Sequence, residues 1–183
     1  MTELYTPSYP DPWAFTEQPK LIRHRRGLFR RDKYEFRIPY RVLIPEEYAA
    51  DLDNNTIVIP AGFTCDGRST PIGTLMVRDH PAGWLHDWGY RLPEWVERLE
   101  TKPEHTLRLV YGITLDERWD MIRLLSMSRQ WWDDLFYAHL KAVGKEQNLI
   151  SIDPRRTRAA HAISRPWQWA AVRLLGSGPF QPR

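Results

Sequence analysis

The spacing of the apolar residues changes after Pro60, and this change restricts the fold more than any other feature. Before it, residues 35–44 alternate loosely between apolar and polar, and residues 56–59 form a short β-branched run after an Asn-Asn turn. Pro39 would confine the first run to a sheet edge or break it. After it, apolar residues recur at helical intervals. The chain therefore predicts an α+β fold, in which a small antiparallel β unit in the N-terminal half precedes packed α-helices.

Two helical regions are expected in the second half. The first begins at Pro81, which suits the first turn of a helix, and carries an apolar stripe. The second begins near Thr114, where the spacing to Glu117 has the outline of a capping box. We expect a break within residues 130–134 and a helix end at Gly144.

The chain divides into three segments. Residues 1–34 are basic and proline-bearing and predict an extended arm, residues 35–145 predict a single α+β domain, and residues 146–183 predict a basic, Trp-bearing helical tail. The length of 183 residues is enough for one domain with a core and does not require two.

The charge and composition limit the expected partners. The formal net charge is +3, and the basic residues cluster within residues 20–33 and 155–173. Such clusters can bind phosphate in nucleic acid or in lipid headgroups, but contact with solvent or with an acidic protein is commoner. No nucleic-acid motif accompanies them, so a specific nucleic-acid partner is not expected. The single cysteine, Cys65, and the lack of a signal-like apolar run fit synthesis in a reducing cytoplasm.

The chemically distinctive motif is Leu85-His86-Asp87-Trp88-Gly89-Tyr90. On a helix, His86 and Tyr90 share a face, and Asp87 adjoins Tyr90 closely enough to accept a bond from its hydroxyl. An imidazole that acts as a base needs an acceptor to orient its second nitrogen. Asp120, on the second helical region, is the predicted acceptor, and Asp116 is its rival.

A cation site is predicted beside this motif. Asp87 alone would bind Ca²⁺ weakly, because this ion takes about six to eight oxygen ligands. The loop of residues 62–67 offers further ligands, namely carbonyl groups near Gly62 and Gly67 and the carboxylate of Asp66. A cation there would polarise an ester or phosphoryl oxygen.

Simpler interpretations of the same residues stay open. A His-Asp pair often braces a helix, Asp66-Gly67 also fits an ordinary turn, and Asp120 has Arg118 and Arg123 within reach as surface partners. Cys65 as a nucleophile, or as a zinc ligand with His80 and His86, matches no standard motif.

Three ordered motifs resemble an uncharacterised phage and prophage family, domain of unknown function thirteen fifty-three. The motifs are residues 59–71 (IPAGFTCDGRSTP), residues 86–90 (HDWGY) and residues 118–120 (RWD), within a resemblance that covers about residues 36–145. Thr64-Cys65-Asp66 stands where the family has a Thr-Asp pair. The resemblance, with the arm and the tail, implies a virion-associated structural protein of a phage or prophage, in the tail, baseplate or connector. It would be made in the bacterial host cytoplasm and join other virion proteins.

The HD-x-x-Y…D half is also similar to the active-site helices of phospholipase A₂ and of related domains in parvovirus capsids. That similarity implies a calcium-dependent lipid ester hydrolase that acts on the host envelope. His86 would be the base, Asp87 the calcium ligand, Tyr90 and Asp120 its supports, and Gly62 and Gly67 part of the calcium loop. The chain departs from this pattern because it lacks bracing disulfides and the denser glycines of the loop.

Overall fold

The computed structural model describes residues 2–5, 11–14, 19–24, 33–49, 52, 54–65 and 81–150. Within them, an antiparallel sheet in the N-terminal half is followed by packed helices, which confirms the predicted α+β class. No helix in these ranges is long and apolar enough to cross a membrane.

Within the described residues, six short strands form two antiparallel sheets. The strands are β1 (Thr2–Tyr5), β2 (Leu21–His24), β3 (Lys33–Phe36), β4 (Tyr40–Leu43), β5 (Thr56–Ile59) and β6 (Thr64–Cys65). The first sheet has the order β1-β2-β3-β6, and the second pairs β4 with β5. Pro39 separates β3 from β4, which confirms the break expected there.

The segment expected to be an extended arm contributes to both sheets. β1 and β2 pair along their full lengths, and Leu21 of β2 is fully buried. Further on, Ala14 bridges Val42, and the N–H of Leu43 donates to the carbonyl of Trp13. The described residues before position 35 are therefore joined to the domain, and the predicted boundary falls inside β3.

The helices are α1 (Pro81–Glu100), α2 (Glu104–Thr106), α3 (Leu115–Leu124) and α4 (Arg129–Ile150), with a π-helical turn (Leu107–Tyr111) after α2. The capping box of Thr114 and Glu117 is formed at the start of α3, as predicted. The break expected within 130–134 lies earlier, before Arg129. The helix end predicted at Gly144 is wrong, because α4 continues to Ile150; a left-handed glycine cap is found instead at Gly112, after the π-helical turn.

The core lies between α1 and the sheets and combines aliphatic side chains with a group of packed aromatic rings. Trp84 packs edge-on against Phe36, and Trp88 packs edge-on against Phe63. Trp84 and Trp88 are fully buried. Because they lie one turn apart on α1, this face of the helix is fixed against the sheets. The face that carries His86 is therefore turned toward α4.

Candidate functional site

The candidate site lies where α1 and α4 pack against each other. The contacts pair earlier residues of α1 with later residues of α4, so the two helices are antiparallel. Gly89 allows a very close approach, since a Cβ added there would lie 2.4 Å from the Trp132 ring. His86 and Tyr90 share one face of α1, as the sequence predicted, and this face is turned toward α4.

His86 lies in an enclosed position between the two helices. Its side chain is 6% exposed, and its ring packs against Tyr90 at 4.4 Å and Phe136 at 4.8 Å between centroids. Its Nε2 lies 3.5 Å from Oδ1 of Asp133, an ion-pair distance longer than a good hydrogen bond. The carboxylate that the structure places beside His86 is thus on α4.

Two further side chains hold Asp133, which is 1% exposed. The hydroxyl of Tyr90 donates to its Oδ1 at 3.3 Å, and Nε of Arg129 lies 3.7 Å from its Oδ2. Nε of Arg129 also donates to the Tyr90 oxygen at 3.1 Å. We call these four residues the His86 cluster: His86, Tyr90, Arg129 and Asp133.

The electrostatics of the His86 cluster favour a neutral imidazole. Burial lowers the pKa of His86, and the positive charge of Arg129 lowers it further, although the nearby carboxylate of Asp133 acts in the opposite direction. Burial and the charge of Asp133 raise the pKa of Tyr90, which keeps its hydroxyl protonated as a donor. At neutral pH the cluster therefore holds an unprotonated imidazole next to a buried carboxylate.

The lowered pKa of His86 makes stability depend on pH. Just below the ordinary pKa of 6.5, His86 binds a proton in the unfolded state but stays neutral in the folded state, so acid favours unfolding. We therefore expect the free energy of unfolding to fall as the pH drops below 6.5, and the variant His86→Gln to show a shallower fall. Urea unfolding on both sides of that pH measures the slope. The variant His105→Gln, at an exposed histidine, is the control and should keep the wild-type slope; an unchanged slope in His86→Gln would contradict the prediction.

The other predicted residues of the site lie in different surroundings. Asp120, on α3, is 7% exposed and accepts a bond from Arg123 at 3.0 Å, the pairing that the simpler interpretation favoured. Asp133 thus occupies the place that the sequence analysis gave to Asp120. Tyr90, expected to hold Asp87, has its hydroxyl on Asp133. Asp133 and Phe136 are three residues apart and therefore share one face of α4. This signal was missed because a helix break was expected within residues 130–134, whereas α4 begins before residue 130.

Gly62 lies in a turn that faces the aromatic core. It has a positive φ of 82°, and its N–H donates to the carbonyl of Phe36. The next residue, Phe63, packs on Trp88 and Trp95, which are on the sheet side of α1. The structure therefore brings Gly62 to the aromatic side of this helix, away from the face that carries His86.

Asp87 is half-buried at the edge of the His86 face. One turn further along α1, Arg91 donates to the carbonyl of Thr64 at 2.7 Å, so β6 ends beside this side of the helix. Asp66 and Gly67, which follow β6, lie outside the described residues. Within the described ranges no three acidic, histidine or cysteine side chains form a group that would hold a metal. Asp87 alone falls short of the oxygens that Ca²⁺ takes, so these residues do not by themselves fit a calcium site.

Comparison of the chain with protein-family models, with curated proteins and with solved structures gave no match. The resemblances to the phage family and to phospholipase A₂ therefore stay predictions. The chemistry available to this chain is therefore inferred from the geometry of the His86 cluster.

Proposed function

We propose that this chain is a hydrolase in which His86 removes a proton from water as the water attacks an ester. The observation that carries the proposal is the placement of His86 Nε2 3.5 Å from Oδ1 of Asp133, with both side chains buried. A histidine base needs a neutral ring and an acceptor that fixes the orientation of that ring. The His86 cluster supplies both.

Each member of the cluster has a distinct role in this proposal. Asp133 lies beside Nε2 and orients the imidazole, which takes the proton from water. As His86 becomes positively charged, the carboxylate of Asp133 stabilises that charge. Tyr90 and Arg129 keep the carboxylate in place through their contacts with it.

The substrate class comes from the resemblance and not from the geometry. The similarity of the His86–Tyr90 motif to phospholipase A₂ favours a lipid ester and implies a calcium requirement, in which Asp87 would be only one of several ligands. A lipid ester is also compatible with the basic tail, which would be attracted to anionic membrane. We therefore propose phospholipids of the host envelope as the substrate.

The proposal is tested by fatty-acid release from mixed phospholipid vesicles, with calcium or with a chelator present. We expect release by the wild-type chain, and a loss of about 100-fold or more in His86→Gln, because general bases contribute about 10²–10⁴-fold. The variant His105→Gln makes the same change at an exposed site and should keep full activity. No release by the wild-type chain, or equal release by His86→Gln, would overturn the hydrolase proposal. Equal release with the chelator would remove the calcium requirement alone.

A second proposal is that the chain is a structural component of a phage or prophage virion, in the tail, baseplate or connector. Apolar side chains exposed next to each other favour a protein partner, and Leu109 is 84% and Val110 59% exposed on the π-helical turn. Trp119 is 51% exposed on α3. Mass spectrometry of purified particles tests this idea, and absence of the chain from every particle made by its host would count against it. The two proposals are compatible, since a tail component can carry an enzymatic domain.

A further inference from the structure

A second buried acid-histidine pair joins the N-terminal segment to α4. Nε2 of His139 lies 2.7 Å from Oδ1 of Asp11, and both side chains are fully buried. The hydroxyl of Tyr40 donates to the other carboxylate oxygen, and the N–H of Trp13 donates to Oδ1 at 2.9 Å. The Trp13 ring also stacks on the His139 ring at 4.2 Å. Asp11 therefore accepts from three separate parts of the chain.

Hydrogen bonds offset the unfavourable burial of this carboxylate. Burial alone would raise the pKa of Asp11, but the charge and hydrogen bond of His139, with the bonds from Tyr40 and Trp13, bring the pKa below its usual value. Losing one partner of a buried carboxylate lowers the stability of the fold. The carboxylate therefore fixes the positions of the side chains that bind it. Here the fixed elements are the segment of residues 11–14, β4 and α4.

The pair is placed to control where Asp133 lies. His139 follows Asp133 by six residues on α4, about 9 Å along the helix axis. Phe136, halfway between them, packs against the ring of His86. One turn earlier on the same face of α4, Trp132 fits against Gly89 of α1. The position of α4 along α1 is therefore set at one end by the Gly89 contact and further along by Asp11.

We propose that Asp11 and His139 are positioning residues for the His86 cluster, which hold α4 so that Asp133 stays against His86. In this proposal the N-terminal segment, which the sequence predicted to be an extended arm, helps to position the site. Its link to catalysis rests on the proposed hydrolase function. The placement of Asp133 against His86 does not, and it can be measured without any substrate.

The test is the imidazole NMR signal of His86 in the full chain labelled with ¹⁵N-histidine and kept at one neutral pH. In the wild type we expect a slowly exchanging Nε2–H with the shift of the neutral tautomer that faces Asp133; His86→Gln assigns the signal. In Asp11→Ala we expect this signal to be lost through fast exchange. In Asp11→Asn, which keeps the hydrogen-bonding shape, we expect it to be at least partly restored.

The control is a variant that is destabilised at a core position other than Asp11 and His139. Ile57→Ala removes a fully buried side chain from β5 and leaves Asp11 and His139 in place. This variant should keep the His86 signal even where its melting temperature falls as far as that of Asp11→Ala. If Asp11→Ala does not fold, Tyr40→Phe removes one bond to Asp11 and should weaken the signal. An unchanged His86 signal in the folded Asp11 or Tyr40 variants, or an equal loss in Ile57→Ala, would overturn the inference. Because the readout is not turnover, these outcomes are separate from any failure of the hydrolase proposal.

Discussion

Replacing Asp133 by alanine is expected to lower the free energy of unfolding by about 1–3 kcal/mol, the usual cost of leaving buried polar groups without their hydrogen-bonding partner. Asp133 is 1% exposed, and the loss of its side chain leaves the buried His86 ring without the carboxylate beside it. Tyr90 loses the acceptor of its hydroxyl at the same time. Urea unfolding at neutral pH, with the slope compared between variants, measures the change.

Asp134→Ala is the matched control for this prediction. Asp134 is the next residue on α4 and is only half-buried, so we expect its replacement to cost about 1 kcal/mol or less. Asp133→Asn keeps the size of the side chain and should mainly reduce hydrolysis, by about 10²–10⁴-fold, because the amide cannot stabilise a charged imidazole as a carboxylate does. Equal losses of stability at positions 133 and 134 would contradict the placement of Asp133 in the site.

The second large effect is expected from Gly89→Ala. The added Cβ would lie 2.4 Å from two atoms of the Trp132 ring, closer than real contacts allow, so α1 and α4 must move apart. Overpacking of this kind costs about 1–3 kcal/mol, and sometimes more. Alanine favours a helix over glycine by about 1 kcal/mol, so the measured loss of unfolding free energy is smaller than the cost of the clash itself. The same displacement should lengthen the His86–Asp133 distance and lower hydrolysis.

The clash itself is tested by a double-mutant cycle with Trp132→Leu. The smaller leucine side chain leaves room for the new Cβ, so we expect the double variant to be more stable than the sum of the single effects predicts. Additive effects would show that Gly89 and Trp132 do not touch in the way described. Urea unfolding of the four proteins gives the coupling free energy directly.

The parts of the fold that were predicted from the sequence depend on local interactions. Pro39 interrupts strand pairing because proline has no backbone N–H to donate. Thr114 caps a helix together with Glu117, three residues later. The contribution of residues 1–34 was not predicted, because the pairing of β1 with β2 and the burial of Asp11 depend on partners far away in the sequence. Prolines and basic residues in that segment resemble those of a solvated arm, and its short strands give little alternation to detect.

The candidate site shows the same division. His86 and Tyr90 were placed on one helix face correctly, because their spacing alone fixes this. The acid that faces His86 was not identified, since Asp116, Asp120 and Asp133 all lie on later helices and only the packing of those helices selects one. Gly89 against Trp132 decides that α4 is the neighbour, and a contact of this kind leaves no periodic pattern in the sequence.

The most direct test of the His86–Asp133 pair as a water-activating site is a double-mutant cycle on ester hydrolysis, with His86→Gln, Asp133→Asn and the combined variant. Residues that act as one unit give grossly non-additive losses. We therefore predict that the combined variant loses no more activity than the more damaged single variant. Losses that multiply, or full activity in either single variant, would contradict the pairing of the two residues in catalysis.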